Sequence, residues 1–175
     1  MENAKIKLVM CDFDNTLFDT KVAKPFCKAK PKPDWAAAYA KIPVCPLYSG
    51  WQAVFKELNN SGIPLGIVSG NTKGFIDRVL KYNKLELDPV VGGYVCRRRQ
   101  PKTKLFEIAL QHPNLNGLSK SEILYIGDQA ADVEQANEFG FQSGACFWGT
   151  EEPDKLLATN PTYKLYQPTD LLKIL

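Results

Sequence analysis

Residues 9–17 read VMCDFDNTL, a short apolar run that ends in two carboxylates two positions apart. Burying Asp12 and Asp14 together at the end of a strand is costly, because like charges repel strongly in a medium of low dielectric constant. A bound cation would remove that cost, and carboxylate oxygens favour a hard ion such as Mg²⁺. The alternative is a strand followed by an ordinary turn rich in Asp and Asn. The segment indicates metal-assisted chemistry at a strand end.

Length and composition are those of an ordinary globular protein. A chain of 175 residues is long enough for one well-buried domain and short for two, so we predict a single domain over residues 1–175. The net charge of +3 is too small to imply nucleic-acid binding by itself. No apolar run approaches the ~20 residues that span a bilayer, and we expect no membrane partner.

The cysteines and the single histidine limit the chemistry. The odd number of scattered cysteines, with no C-x-x-C pair and no signal-peptide pattern at the N-terminus, indicates reduced thiols in a cytoplasmic protein. A Ser-His-Asp triad, a Cys-His pair or a His-rich zinc site would have to use His112, which sits in a loop context before Pro113. Carboxylates, hydroxyls and lysines are therefore the expected reactive groups.

Apolar runs alternate with helical patterns along the chain. The predicted strands are Ile6–Cys11, Pro64–Val68, Val90–Val95, Ile123–Ile126 and Gly144–Phe147. The predicted helices are Trp51–Leu58 after an N-cap at Ser49, Phe75–Leu80, Leu105–Leu110, Ala130–Phe139 ended by Gly140, and a short one at Trp35–Ala40. This alternation predicts an α/β, three-layer Rossmann-like domain with a central parallel sheet covered on both faces.

The chemically capable residues follow the strands of this predicted sheet. Asp12 and Asp14 follow the first strand, Ser69-Gly70-Asn71 the second and Asp128 the fourth, while the third leads into a basic segment at residues 97–102. Ligands of such sheets bind beyond the carboxyl ends of the strands. We therefore expect one site at this edge.

Three segments resemble motifs of the haloacid-dehalogenase-like (HAD) phosphohydrolase superfamily. Residues 12–16 resemble its D-x-D-x-T signature, residues 68–71 its second motif, and residues 127–132 its acidic fourth motif. The resemblance covers most of the chain in the right order and implies the sheet order 3-2-1-4-5. The second aspartate of the signature, which the dehalogenases and ion-pumping ATPases lack, favours a phosphatase.

The resemblance implies a role for each acidic residue. Asp12 would attack phosphorus and form an aspartyl-phosphate, and Asp14 would act first as general acid and then as general base. Asp12, the main-chain carbonyl of Asp14, and Asp128 would hold Mg²⁺, with Asp132 supporting the metal from the next helix. Thr16, Ser69, Gly70 and a lysine would bind the phosphoryl oxygens.

The third motif departs from the family pattern. Aligning the helix at residues 106–110 with its relatives puts Gln100 where a lysine is expected. A cation is needed there to offset the charge of the nucleophile and the phosphate. Lys102, Arg99 or Lys104 could supply it, and Lys102 is favoured.

Residues 19–48 form the least regular region, rich in proline and lysine. They are too few for a full multi-helix cap, and residues 71–128 leave no room for a second domain. The chain thus resembles the small capless or minimally capped Mg²⁺-dependent phosphatases, in which residues 19–48 are an irregular loop or a minimal cap. An open site admits a bulky substrate or is closed by another subunit. The lysines at 21, 24, 28, 30 and 32 either steer an anionic substrate or form a solvated loop.

The predicted function is Mg²⁺-dependent hydrolysis of a phosphorylated substrate, either a small molecule or the end of a macromolecule. A nucleic-acid 3′-phosphatase that uses the lysine-rich loop is the enzymatic alternative. A catalytically impaired binding or regulatory domain, suggested by Gln100, is the alternative from another class.

Overall fold

The computed structural model describes residues 4–85, 95–96, 100–112, 115–150 and 152–175. Its centre is a parallel sheet of six strands: β1 (Leu8–Cys11), β2 (Leu65–Ser69), β3 (Val95–Cys96), β4 (Ile123–Gly127), β5 (Gln142–Cys146) and β6 (Tyr163–Leu165). The spatial order is β3-β2-β1-β4-β5-β6. The predicted order of five strands is confirmed, and β6, which was not predicted, extends the sheet beyond β5.

The central strand β1 is buried on both faces, which is why it reads as a continuous apolar run. Met10 lies beside Gly66 of β2 and Tyr125 of β4. Leu8 and Met10 belong to one hydrophobic core, and Val9 and Cys11 belong to the other, since successive side chains point to opposite faces.

Seven helices lie within the described part of the chain: α1 (Lys24–Cys27), α2 (Trp35–Ala40), α3 (Trp51–Asn60), α4 (Lys73–Tyr82), α5 (Lys102–Ala109), α6 (Ala130–Phe139) and α7 (Pro153–Ala158). The apolar faces of α3 and α4 pack in the core with Val9, and those of α5 and α6 pack in the core with Met10. The three-layer α/β prediction is confirmed. Among the described helices, none combines the length and the apolar character that a bilayer span requires.

Several predicted boundaries need correction. The N-cap of α3 is Gly50 rather than Ser49, because the chain turns through a left-handed residue (φ 98°) immediately before the helix. The fifth strand begins at Gln142 and ends at Cys146, one residue before the predicted end. Of the predicted third strand, residues 90–94 lie outside the described residues. The predicted end of α6 is confirmed, since Gly140 terminates it at φ 88°.

Residues 19–48 contain α1, α2 and a 3₁₀ turn at Ile42–Val44. Ala23 and Ala38 are buried, so the segment packs against the domain rather than extending into solvent. An isolated bridge between Phe18 and Leu47 brings its two ends together. Its description as a minimal cap, and the single-domain division of the chain, stay predictions.

The close packing of β5 between its neighbours gives a stability prediction. A Cβ on Gly144 would lie 2.3 Å from Cγ2 of Ile126 and 3.0 Å from Cδ1 of Leu165. We expect Gly144→Ala to lower the free energy of unfolding by about 1–3 kcal/mol, measured by urea denaturation, because a close-packed interior resists overpacking. In the control Gly74→Ala, the new Cβ would lie 3.4 Å from Nη1 of the flexible Arg78 inside α4, where alanine is favoured. Equal effects of the two substitutions would contradict the prediction.

Candidate active site

Three buried carboxylates from separate parts of the chain meet at the carboxyl edge of the sheet. Asp12 follows β1, and its N–H extends the ladder by donating to the carbonyl oxygen of Ile126 at 2.9 Å. Asp128 follows β4, and Asp132 lies in the first turn of α6. These residues are 7%, 2% and 5% exposed, and one carboxylate oxygen from each lies within 4.8 Å of the others. The expected convergence of Asp12 and Asp128 is present in the structure.

The electrostatics of this cluster fit a divalent cation. Burial raises the pKa of Asp128 to about 7, with further contributions from the charges of Asp12 and Asp132. Burial also raises the pKa of Asp132, while the nearby Lys102 opposes that rise. Three carboxylate oxygens are hard ligands of the kind that Mg²⁺ and similar ions prefer, and a bound ion would offset the repulsion that raises these pKa values. Asp12, Asp128 and Asp132 could therefore hold such an ion.

The carboxylate of Asp14 occupies a different environment from that of Asp12. It accepts hydrogen bonds from the hydroxyl of Thr20 at 2.6 Å and from Nδ2 of Asn71 at 3.0 and 3.2 Å. Burial raises the pKa of Asp14, the charge of Asp12 raises it further, and these hydrogen bonds oppose the rise. A carboxyl group with a raised pKa can carry a proton near neutral pH and donate it.

Lys102 lies directly against the acidic cluster. Its Nζ is 2.8 Å from Oδ1 of Asp12 and 3.4 Å from Oδ1 of Asp132, and it donates to the carbonyl oxygen of Val68 at 2.8 Å and to the hydroxyl of Tyr125 at 2.6 Å. Burial alone would lower the pKa of Lys102, but the two carboxylates outweigh burial and raise it. The ammonium group thus stays charged beside Asp12.

The start of α5 places this lysine. Lys102 is the first residue of α5, and its N–H donates to Oε1 of Gln135 on α6 at 2.7 Å. Gln100 is exposed, and Lys104 points outward to pair with Glu107 at 2.7 Å. Arg99, the third candidate, lies outside the described residues.

Thr16 lies where it cannot contact the cavity directly. It is fully buried, and its hydroxyl is turned toward Oδ1 of Asp128 at 3.5 Å. Its carbonyl oxygen accepts hydrogen bonds from the indole N–H groups of Trp51 and Trp148, both at 3.0 Å. The structure therefore gives Thr16 a part in positioning Asp128 and in fixing the turn, in place of the predicted phosphate contact.

A cavity of about 340 Å³ opens in front of the acidic cluster. Ser69 and Gly70 line it beside Asp12 and Asp14, as their predicted phosphate-binding role requires. The hydroxyl oxygen of Ser69 also accepts a hydrogen bond from the N–H of Asn71 at 3.1 Å. The remaining lining residues come from the turn after β2, from α6 and its N-terminal flank, and from residues 19–48: Asn71, Gln129, Asp132, Lys24, Cys27, Lys28 and Trp35.

Sequence reasoning gave no role to several residues that shape the site. Asn71 was part of the second motif, but its bond to Asp14 depends on the turn after β2. Thr20 and Tyr125 carry no motif signal, because hydroxyl-bearing residues are common and only the fold brings these two to Asp14 and Lys102. For Tyr125, the only signal in the sequence was a hydroxyl-bearing residue within the otherwise apolar strand β4.

Comparisons with known proteins identify the family. The family model described as haloacid dehalogenase-like hydrolase matches residues 28–146. A phosphoglycolate phosphatase from Synechococcus elongatus is 29% identical over 135 residues, which are 75% of this chain and 60% of that protein. The pyrophosphatase PpaX of Bacillus cereus is 30% identical over 122 residues, which are 69% of this chain and 55% of that protein.

Solved structures show the same fold. A haloacid dehalogenase-like family hydrolase from Streptococcus pneumoniae superposes with a TM-score of 0.78 at 21% identity, over 96% of this chain and 97% of that one. A hydrolase from Pseudomonas syringae gives a TM-score of 0.76 at 17% identity, over 95% and 96% of the two chains.

The fold is a Rossmann-like α/β domain with an acidic cluster at the carboxyl edge of its parallel sheet. The chain belongs to the haloacid dehalogenase-like hydrolase family, as the match over residues 28–146 shows. It spans 60% and 55% of the length of the two curated relatives named above.

The burial of Asp128, together with the repulsion from Asp12 and Asp132, predicts an unusual dependence of stability on pH. The pKa of Asp128 in the folded protein, about 7, lies above its ordinary value near 3.9, so the folded state binds the proton more tightly than the unfolded state. The stability of metal-free protein should therefore fall as pH rises from about 4 through 7. We expect Asp128→Asn to flatten this fall and to raise Tm at pH 7.5 by a few degrees, because one pKa unit corresponds to about 1.4 kcal/mol.

Adding Mg²⁺ completes this experiment. Millimolar Mg²⁺ should raise Tm of the natural protein at pH 7.5 and leave that of the Asp128→Asn variant unchanged, because only the folded protein holds the ion. Asp154→Asn, at an exposed position on α7, is the matched control and should behave like the natural protein. A Tm that rises equally in all three proteins would show that the ion binds elsewhere.

Proposed function

We propose that the chain is a Mg²⁺-dependent phosphomonoester hydrolase that works through an aspartyl-phosphate on Asp12. The observation that supports this most is the meeting of Asp12, Asp128, Asp132 and Lys102, of which Asp12 and Asp132 line a cavity together with Ser69. The curated relatives support the same reaction class, since their names describe a phosphoglycolate phosphatase and a pyrophosphatase.

The first step is attack of an Asp12 oxygen on phosphorus. The oxygen–phosphorus bond forms while the bond from phosphorus to the leaving oxygen breaks, and Asp14 gives its proton to that oxygen. The raised pKa of Asp14 suits it to hold this proton beforehand, and Thr20 and Asn71 fix the carboxyl group in place. The products are an alcohol and phosphorylated Asp12.

The second step is hydrolysis of the aspartyl-phosphate. Asp14, now ionised, takes a proton from water, whose oxygen attacks phosphorus as the bond to Asp12 breaks. Inorganic phosphate leaves, and Asp14 is again protonated. The same side chain thus serves both steps, because each step leaves Asp14 in the protonation state that the other needs.

The positive charges of the site are arranged around the nucleophile. Mg²⁺, held by Asp12, Asp128, Asp132 and the main-chain carbonyl of Asp14, would stabilise the charge on the phosphoryl oxygens. Lys102 offsets the charge of Asp12 from the side of the protein interior, and it keeps the carboxylate oriented through their 2.8 Å ion pair. Ser69 and Gly70 face the phosphoryl oxygens from the cavity wall.

Replacing the nucleophile tests the proposal. We expect Asp12→Asn to abolish Mg²⁺-dependent hydrolysis of p-nitrophenyl phosphate, because an amide oxygen does not form the acyl-phosphate, while the circular dichroism spectrum stays unchanged. Asp77→Asn, which removes a carboxylate paired with Lys73 on α4, is the control and should retain full activity. Natural protein that hydrolyses no member of a broad panel of phosphoesters would instead favour a binding or regulatory domain.

Replacing Asp14 separates proton transfer from nucleophilic attack. We expect Asp14→Asn to lower kcat about 10²–10⁴-fold on an alkyl phosphate, whose alkoxide needs a proton to leave. On p-nitrophenyl phosphate the first step should be less affected, since p-nitrophenolate leaves readily without a proton. The variant should then release a stoichiometric burst of p-nitrophenolate before slow turnover, as measured by rapid-mixing absorbance. Equal losses on the two substrates without a burst would argue against the acid–base role.

The nucleic-acid 3′-phosphatase stays an alternative prediction. The lysines of residues 21–32 are the feature that favours it, and Lys28, Lys30 and Lys32 have at least part of their surface open to solvent. Binding to a phosphate backbone weakens steeply with salt, so strong ionic-strength dependence on a 3′-phosphorylated oligonucleotide would mark this activity. Assembly with a second subunit, and location in the cytoplasm, likewise remain predictions.

A further inference from the structure

Two lysines that have no role in the proposed chemistry line the active-site cavity. Lys24 begins α1 and Lys28 directly follows its last residue, so the two stand one helical turn apart, and they share their wall of the cavity with Trp35. Both also line a neighbouring cavity of about 300 Å³ together with Asp128 and Gln129. The two lysines therefore lie where the two spaces meet.

Neither lysine forms an ion pair with a carboxylate in the described ranges of the chain. Elsewhere Lys73, Lys104, Lys155 and Lys173 each pair with a carboxylate three or four residues away along the chain. Lys24 is half-buried, and its charge partly counters the rise that burial causes in the pKa of Asp128, so it lies within electrostatic reach of the catalytic cluster. Two lysines that line a cavity and form no close ion pair within the described part of the chain are suited to an anionic ligand.

The geometry of phosphoryl transfer says which part of a substrate these lysines face. The attacking and leaving oxygens lie roughly in line through phosphorus, so the leaving group points away from Asp12. Ser69 and Gly70 lie at the end of β2 on the sheet edge and face the transferred phosphoryl group. Lys24, Lys28 and Trp35 of residues 19–48 line the same cavity. A leaving group that extends from phosphorus into this cavity, away from Asp12, would approach them.

We propose that Lys24 and Lys28 bind a second anionic group, a carboxylate or a second phosphate, on the leaving-group side of the substrate. This inference rests on the function proposed above and narrows its substrate class. The cavity of about 340 Å³ has room for a small leaving group, and the aromatic side chain of Trp35 is among those that line it and could contact the carbon skeleton. The substrate is thus a small phosphomonoester with two anionic ends.

Three compounds on one two-carbon skeleton test this inference. They are 2-hydroxyethyl phosphate, phosphoglycolate, and the bisphosphate of ethane-1,2-diol. At the end away from the phosphate to be removed, the first carries an uncharged hydroxyl, the second a carboxylate and the third a second phosphate. We expect kcat/KM to be at least about 10-fold higher for one of the charged compounds, since hydrogen bonds between two charged groups are the strong ones. The preferred compound tells whether the second group is a carboxylate or a phosphate.

Variants assign the preference to the two lysines. Lys24→Gln with Lys28→Gln should bring the preferred compound close to the uncharged one, mainly through a higher KM. The same double substitution should change kcat/KM for the uncharged compound less than about threefold. Lys32→Gln, in the same segment but outside both cavity linings, should change neither value. Equal losses on all three compounds, or the absence of any preference in the natural protein, would overturn the inference.

A binding measurement keeps this inference separate from the proposed function. The Asp12→Asn variant in Mg²⁺ should bind the preferred charged compound at least about 10-fold more tightly than 2-hydroxyethyl phosphate, as measured by isothermal titration calorimetry. The added glutamine substitutions should remove that difference. If the natural protein hydrolyses neither these compounds nor any member of the broad panel of phosphoesters, the proposed hydrolase fails, and the calorimetric comparison alone supports or refutes binding of a second anionic group by Lys24 and Lys28.

Discussion

Repulsion among three buried carboxylates is the constraint that organises this molecule. Asp12, Asp128 and Asp132 are each held by a different element, so none can move away from the others without disrupting the end of β1, the end of β4 or the first turn of α6. The parallel sheet makes this possible, because the carboxyl ends of its strands meet at one edge. The hydrophobic cores on its two faces supply the free energy that holds the charges together.

Neighbouring side chains compensate this repulsion only in part. Lys102 supplies one fixed positive charge, and its ammonium group lies between Asp12 and Asp132, while the hydroxyl of Thr16 is turned toward Asp128. A second lysine in the interior would further reduce the negative charge of the cluster but would also weaken its affinity for a cation. The site therefore keeps an excess of negative charge that a metal ion can balance. Holding this excess charge without the ion lowers the stability of the fold, as is typical of functional sites.

The sequence predicts most of the fold and the acidic part of the site for identifiable reasons. The strands at the centre are apolar runs because both of their faces are buried, and the aspartates stand out because they follow such runs directly. The placement of Lys102 as the cation beside Asp12 was harder to predict, since the spacing of the third motif is shifted and Gln100 occupies the position where a lysine is expected. Thr16 was assigned to phosphate because its motif contains a hydroxyl, whereas its orientation depends on a turn that Trp51 and Trp148 fix from distant parts of the chain.

Two carboxylates only two residues apart acquire different properties because different partners surround them. Asp12 faces Lys102, whereas Asp14 is held by Thr20 and Asn71 and has a raised pKa. Thr20 belongs to residues 19–48, the same segment that contributes Lys24, Lys28 and Trp35 to the lining of the cavity. A group bound by these lysines would therefore act on the segment that fixes the general acid. In the proposed mechanism, residues 19–48 would contact the leaving group through Lys24 and Lys28, and Thr20 of the same segment holds the carboxyl group of Asp14 that would give the proton.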